Sequence, residues 1–167
     1  MKNFNLQFLQ SELKHISEWI KFADKKTAFL TAYYSLIFGL VVSQKDTILN
    51  HLANYQKWVT VFYIFILFGV IVSFLVGISF LFKSIFPRLK NSFTDKSLFY
   101  FGNVASMKFV DYSKEIEKLT DDEIKKQIIE QIYTNSVIAD QKMKNVQKSI
   151  KSLIVLITFI LILIFIF

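Results

Sequence analysis

Residues that commonly carry catalysis are sparse in this chain of 167 residues. It has no cysteine, which excludes disulfides, thiolate nucleophiles and cysteine-based metal sites. The two histidines, His15 and His51, are separated by an apolar segment long enough to cross a membrane, so we do not expect them in one metal or acid–base site. No phosphate-binding glycine loop occurs. The sequence therefore predicts a protein that is not an enzyme and holds neither a metal nor a cofactor.

The sequence offers more residues suited to binding a small anion than to catalysis. The candidate residues are the cations Lys25, Lys26 and Arg88, together with a predicted turn at Gly102 and Asn103 whose amides would be free to donate at the start of a helix. Attraction to lipid headgroups is the commoner explanation of such cations, and binding of an anion stays open beside it. The aromatic run at 99–101 has two uses as well, stacking on a base or packing in a core.

An acidic cluster at Asp121, Asp122 and Glu123 follows Thr120. Thr120 and Glu123 have the spacing of a capping box, in which each side chain binds the backbone amide of the other. The extra negative charge also favours the positive end of a helix. We interpret the cluster as a helix start and not as a metal site.

Three uncharged segments decide where these residues can lie. Range 58–82 has no charge over 25 residues, enough at about 1.5 Å per residue to cross a hydrocarbon core of about 30 Å. Ranges 27–43 and 152–167 are shorter, and lysines at their boundaries can reach the headgroups. A buried core helix is the alternative for 58–82. A hydrophobic fraction of 53% supports a membrane protein, so the predicted fold class is all-α with three transmembrane helices.

The distribution of positive charge predicts the orientation. Of the 20 lysines and arginines, 18 flank the same side of the three segments, and the connection at 44–57 holds only two. The positive-inside bias makes that side cytoplasmic, with a cytoplasmic N-terminus and an external loop at 44–57. Pro87, the only proline, is expected to end the second spanning helix.

Two stalk helices are expected to run directly into spans. Apolar residues recur every three or four positions from Leu6 to Ala23, and again from Ile129 to Leu153. An interfacial helix lying on the lipid is the alternative for the first. Between the second span and the second stalk we expect a short extended stretch and turn at 97–104, then a helix over about 105–119. The predicted parts are a cytoplasmic amphipathic helix (1–26), span 1 (27–43), an external loop (44–57), span 2 (58–82), a cytoplasmic module with its stalk helix (83–151) and span 3 (152–167).

Small residues follow one face of the second span. Gly69, Ser73 and Gly77 are four apart, a spacing that lets helix backbones approach closely, and a looser track of small residues runs from Ala28 to Gly39. We expect these residues to pack spans against each other or against another subunit. A pore-lining role is the alternative, less favoured because no span carries an ionisable residue that would indicate an ion path.

The order of several short blocks resembles the transmembrane effector family of Pycsar, the bacterial pyrimidine-cyclase antiphage system. The blocks are Ala-Asp-Lys-Lys at 23–26, Phe-Pro-Arg at 86–88, Leu-Phe-Tyr-Phe-Gly-Asn at 98–103, Gln-Ile-Tyr at 131–133 and Ile-Ala-Asp-Gln-Lys at 138–142. The resemblance covers nearly the whole chain.

The resemblance implies an effector in the bacterial inner membrane that responds to a cyclic pyrimidine mononucleotide, cyclic UMP or cyclic CMP. A partner cyclase would make this signal during phage infection, and the activated effector, a homo-oligomer, would disrupt the membrane and arrest the infected cell. A second hypothesis from another class is a scaffolding membrane protein whose cytoplasmic helices bind a protein partner. Nucleic acid is not an expected partner of either.

Overall fold

The computed structural model describes residues 5–54, 56–86 and 97–166, and about 91% of these residues are helical. No strand occurs in these ranges. Three of the helices are long and apolar enough to span a membrane, which confirms the predicted fold class. The helices are α1 (Leu6–Ser43), α2 (Lys45–Asn54), α3 (Lys57–Ile85), α4 (Phe101–Ser106), α5 (Phe109–Glu117) and α6 (Asp121–Ile166).

Both stalks are continuous with spanning segments. Helix α1 has 38 residues and no proline, and its one glycine, Gly39, lies near its end. Helix α6 has 46 residues with neither glycine nor proline, which at 1.5 Å per residue makes it about 70 Å long. Because nothing in either sequence interrupts the backbone hydrogen bonds, the amphipathic and apolar parts form single helices.

Helices replace two irregular segments that the sequence predicts, and two helices replace one predicted helix. The connection at 44–57 contains α2, whose first turn carries Asp46, an acid that suits the positive end of a helix. Ser97 to Tyr100 form a turn, and α4 begins directly after it, so the expected extended stretch is absent from 97–104. The single helix expected over 105–119 is two helices, because Met107 and Lys108 adopt extended backbone angles between α4 and α5.

Helix α3 ends at Ile85, two residues before Pro87, the only proline of the sequence. Its C-cap, Phe86, leaves the helical region at φ −112° and ψ 73°. A residue that precedes a proline is disfavoured in the helical region by the proline ring, which explains the end of the helix. Pro87 and Arg88 themselves lie outside the described residues.

The capping box at the start of α6 is confirmed. The Thr120 amide donates to the Glu123 carboxylate at 2.9 Å, and the Glu123 amide donates to the Thr120 hydroxyl at 3.4 Å. The Thr120 hydroxyl also donates to the same carboxylate at 2.8 Å. The backbone hydrogen bond from Thr120, with the hydroxyl second, lowers the pKa of Glu123 below its ordinary value of 4.5.

Replacing the capping carboxylate should change stability with pH. A lowered folded-state pKa means that the contribution of Glu123 is fully present above pH 4.5 and is lost as the pH falls through the lowered pKa. We expect Glu123→Ala to melt at a lower temperature than the wild type at pH 7, and the two curves to converge below pH 4.5. Thermal unfolding by circular dichroism across pH 3–7 measures this. A gap that stays constant over the whole range would contradict it.

Two compact units divide the chain. The stalk unit comprises Met1–Phe22 and Arg88–Asp140, and the span unit comprises Ala23–Pro87 and Gln141–Phe167. In the stalk unit, Leu9, Leu98 and Ile128 are buried. The side chain of Gln127 secures the turn before α4, because its Oε1 accepts from the Leu98 amide at 3.0 Å.

The span unit has an apolar core and an apolar exterior. Its buried cluster includes Leu30, Tyr34, Val70 and Leu156, contributed by all three long helices. Outward-facing side chains are also apolar, with Phe29, Phe65 and Phe68 between 64% and 69% exposed. Only 28% of the most apolar window of α3 is buried within the chain, which is typical of a helix that faces lipid or another subunit.

Candidate functional site

Buried polar residues lie along the inner faces of α1, α3 and α6 in the span unit. This arrangement reverses the usual distribution, since the outside of the same helices is apolar. Polar groups inside a membrane segment are costly and commonly mark functional sites. The polar column, as we call it, consists of the buried residues Thr27, Tyr34, Ser73, Ser84, Lys142, Ser149 and Ser152, together with Asp24, the half-exposed partner of Lys142.

An ion pair between Asp24 and Lys142 forms one end of the polar column, at the boundary between stalk and span segments. The Lys142 side chain is only 9% exposed, whereas 51% of the Asp24 side chain remains exposed. Lys142 therefore depends on Asp24 for compensation of its charge much more than Asp24 depends on Lys142. The pair joins α1 to α6, two helices that are more than 100 residues apart in sequence at this point.

Hydrogen bonds between helices continue the column toward the span interior. The hydroxyls of Thr27 and Ser84 share a bond of 2.9 Å, which joins α1 to α3. Tyr34 donates its hydroxyl to the Ser149 carbonyl oxygen at 3.0 Å, and Ser152 donates to the Ser73 carbonyl oxygen at 2.7 Å. Each pair of the three helices is thus joined by at least one polar contact. Interhelical hydrogen bonds in membranes average about 0.6 kcal/mol, so together they favour one register.

Ser149 is the residue of the polar column whose side-chain hydroxyl is buried and unpaired among the described residues. It is fully buried, and among the described residues its hydroxyl oxygen has no hydrogen-bond partner. The chemistry of the column is therefore hydrogen bonding and charge pairing, with hydroxyls but no described cluster of acids and histidines. Within residues 5–54, 56–86 and 97–166, no group of three metal-ligating side chains occurs.

The small residues of α3 lie where neighbouring helices approach. A Cβ built on Gly77 would be 1.8 Å from the Tyr34 hydroxyl, and one built on Gly69 would be 2.7 Å from the Phe159 ring. Ser73 lies between them and is buried. By contrast, Gly39 on α1 has nothing within 4 Å, and Ala28, Ala32 and Ser35 are exposed, so the α1 track does not pack inside the chain.

The predicted ligand residues are divided between the two units. Lys25 is exposed and Lys26 is partly buried; both follow Asp24 on α1 in the span unit. Gly102 and Asn103 are partly buried in the stalk unit. Arg88, the remaining candidate, lies outside the described residues.

The Gly102–Asn103 segment differs from its prediction. Both residues lie inside α4 and not in a turn before it. The Asn103 amide donates to the Tyr100 carbonyl oxygen at 3.0 Å, and the Asn103 side-chain amide donates to the Ser97 carbonyl oxygen at 3.3 Å. Because the helix begins earlier than the glycine suggested, the amide expected to be free at Asn103 is already paired.

The spacing of apolar residues does not predict most of the polar column, because that criterion leaves polar residues out. On α6 the predicted seam contains Ala139, Val146 and Leu153, whereas the structure also buries Lys142 and Ser149 on the same side. Ile129, assigned to the seam, is 38% exposed while its neighbour Ile128 is buried. Lys142 and Ser149 are seven residues apart, and Leu156 follows after seven more. This second heptad position was the available signal.

The chain matches the model of a known protein family. The family model for the Pycsar effector protein domain (PycTM) matches residues 8–167. No curated protein and no solved structure matches the chain. Two of the blocks that carry the resemblance in sequence are 23–26 and 138–142. The ion pair of the polar column brings one residue of each block into direct contact. Because the matched region covers nearly the whole chain and includes all three spanning helices, the protein belongs to the Pycsar effector protein domain family.

Proposed function

We propose that this Pycsar antiphage effector senses a cyclic pyrimidine mononucleotide and, when it binds the nucleotide, disrupts the membrane that it spans. Membership of the family supports an effector role that is functionally linked to a cyclase. The observation that carries the mechanism is the Asp24–Lys142 ion pair. Both residues lie at the start of the span unit on their helices, α1 and α6, so we expect a change in the helical segments that precede them to reach this pair first.

The polar column supplies a reason why a small rearrangement would damage the membrane. In the structure the hydroxyls of Thr27, Tyr34, Ser84 and Ser152 are hydrogen-bonded between helices, and the ion pair joins α1 to α6. If α1 and α6 separate, the Tyr34 hydroxyl and the other polar groups within the spans lose their partners in a medium without water, and each unsatisfied group costs several kcal/mol. Water drawn in to hydrate them would breach the hydrocarbon. The helices of several subunits would share such a breach, since most of their apolar surface is uncovered in a single chain.

The proposed ligand is cyclic UMP or cyclic CMP. Its phosphate is an anion, and Lys25, Lys26 and Arg88 are the cations that the sequence offers beside the ion pair and after the second span. Gly102 and Asn103 are a separate candidate contact within the stalk unit, near the aromatic side chains of Phe99 and Tyr100, which are 40% and 51% exposed and have faces on which a base can stack.

Nucleotide binding should stabilise the full-length protein in detergent. A ligand at 100 times its Kd adds about 2.7 kcal/mol to the free energy of unfolding, roughly 5–11 °C in Tm for a chain of this size. We expect cyclic UMP or cyclic CMP to produce this shift and cyclic AMP and cyclic GMP to produce a smaller one. No shift with any of the four nucleotides would count against sensing.

Charge reversal distinguishes ligand contacts from lipid anchors. Lys25→Glu/Lys26→Glu should abolish the nucleotide-dependent shift if these lysines hold the phosphate, because a like charge repels it. The matched control is Lys114→Glu/Lys118→Glu, an equal change of charge on an exposed residue of α5 and on its exposed C-cap, which should leave the shift intact. If the first variant responds like the control, Lys25 and Lys26 do not bind the nucleotide.

The scaffolding hypothesis makes a different prediction. It requires a stoichiometric protein partner in a pull-down and no growth arrest when a cyclase and this protein are produced together. Growth arrest that depends on the nucleotide cyclase would exclude it.

A further inference from the structure

An open groove of about 570 Å³ runs between α3 and α6 in the span unit. Its walls are almost entirely apolar and include Phe65, Phe68, Val76 and Phe159. The two helices are antiparallel here, because Gly69 approaches Phe159 while Phe80 approaches Lys148. From Phe65 to Phe80 the groove follows about 22 Å of helix, more than the roughly 15 Å of one leaflet's hydrocarbon. An extended acyl chain therefore fits along it.

Positive charge is confined to one end of the groove. Lys148 and Lys151 line this end, and the ammonium groups of Lys148 and Lys83 lie 5.4 Å and 5.3 Å from the centre of the Phe80 ring. The cations come from both helices and converge on one aromatic side chain. No acidic residue lines the groove. The charge is complementary to a phosphate at the headgroup level, with the apolar walls below it.

We propose that this groove binds one anionic phospholipid of the bilayer, with its phosphate at Lys148, Lys151 and Lys83 and an acyl chain along the phenylalanines. General attraction of lysines to a charged surface would not require the groove, and a plain apolar groove would not select the headgroup. The combination of a long apolar trough and cations at a single end commits the occupant to an amphiphile with a negative head. The bound lipid would cover the α3–α6 seam beside Gly69 and Ser73.

Native mass spectrometry of the full-length protein in detergent tests this assignment. The protein is titrated with phosphatidylglycerol and, separately, with phosphatidylcholine that carries the same acyl chains. We expect retention of one phosphatidylglycerol at a concentration roughly 25-fold lower than for phosphatidylcholine, about fivefold for each of the two lysines that line the groove, Lys148 and Lys151. Equal retention of the two lipids by the wild type would overturn the proposal.

Variants separate the two halves of the site. Lys148→Gln/Lys151→Gln should remove the preference, whereas Lys148→Arg/Lys151→Arg should keep it. The matched control Lys125→Gln/Lys126→Gln, on the same helix but outside the groove, should also keep it. Persistence of the preference in the first variant, or its loss in the arginine variant, would contradict the role of charge.

A variant in the apolar wall provides an independent test that leaves every lysine in place. Val155 lines the groove and is 47% exposed, so Val155→Trp fills the groove without entering the core, and we expect it to release phosphatidylglycerol. Retention by this variant, or competition by soluble glycerol phosphate as strong as that by the intact lipid, would show an anion site without a groove and overturn the assignment.

Discussion

Asp24→Ala is expected to lower the free energy of unfolding by about 3 kcal/mol, roughly 6–12 °C in Tm, because it leaves the ammonium of Lys142 buried without a counter-charge. The Lys142 side chain is 9% exposed, so water can replace Asp24 only in part. Lys142→Met should cost much less, since it keeps the apolar stem and leaves behind a carboxylate that is already half exposed. Thermal unfolding of the purified protein in one detergent measures both.

The double variant gives the sharper result. Asp24→Ala/Lys142→Met contains no unpaired buried charge, so it should melt at a higher temperature than Asp24→Ala alone. Glu18→Ala, which removes an exposed acid from the same helix, serves as the control and should leave Tm unchanged. If the two single effects simply add in the double variant, the pair does not interact and the polar column loses its charged end.

Gly77→Ala is expected to destabilise the span unit by about 2 kcal/mol, although alanine is the better helix former. The new methyl would lie 1.8 Å from the Tyr34 hydroxyl, and Tyr34 is 1% exposed and hydrogen-bonded to the Ser149 carbonyl oxygen. Either α1 moves away from α3 or the tyrosine leaves its partner. At the same concentration of detergent, Tm should fall by roughly 4–8 °C.

Two other glycines provide graded controls for Gly77. Gly39→Ala meets no atom within 4 Å and should be neutral or stabilising. Gly69→Ala meets only the partly buried ring of Phe159, a side chain that can rotate, so its effect should lie between the others. Tyr34→Phe in the Gly77→Ala background removes the closest clashing atom and should recover part of the loss. Equal melting temperatures for the three alanine variants would contradict close packing at Gly77.

Local rules were sufficient for the parts of the fold that depend on neighbouring residues. Length and lack of charge predicted the spans, and the spacing of Thr120 and Glu123 predicted the start of α6. Continuity of the stalks followed from the absence of glycine and proline. The break at Met107 and Lys108 was not foreseen, because neither residue type stops a helix by itself.

The polar column could not be predicted from the spacing of residues along the sequence, because it depends on how the three long helices pack. Thr27, Ser84 and Ser149 are ordinary residues in helices. Only the register of the three helices pairs Thr27 with Ser84 and the Ser149 carbonyl oxygen with Tyr34. Lys142 was noticed as part of a sequence block, and its burial against Asp24 comes from the packing of α1 on α6. The ligand candidates depended on the same missing information, which is why the paired amide of Asn103 was taken as free.

The outward-facing phenylalanines of α1 and α3 have a consequence for how the cell can use this effector. A chain with polar groups inside and about two thirds of Phe29, Phe65 and Phe68 uncovered has no water-soluble folded form to hold in reserve. It must be inserted into lipid as it is synthesised, before any phage arrives. On the proposed function, the response would then be timed by a signal that reaches a protein already in the membrane.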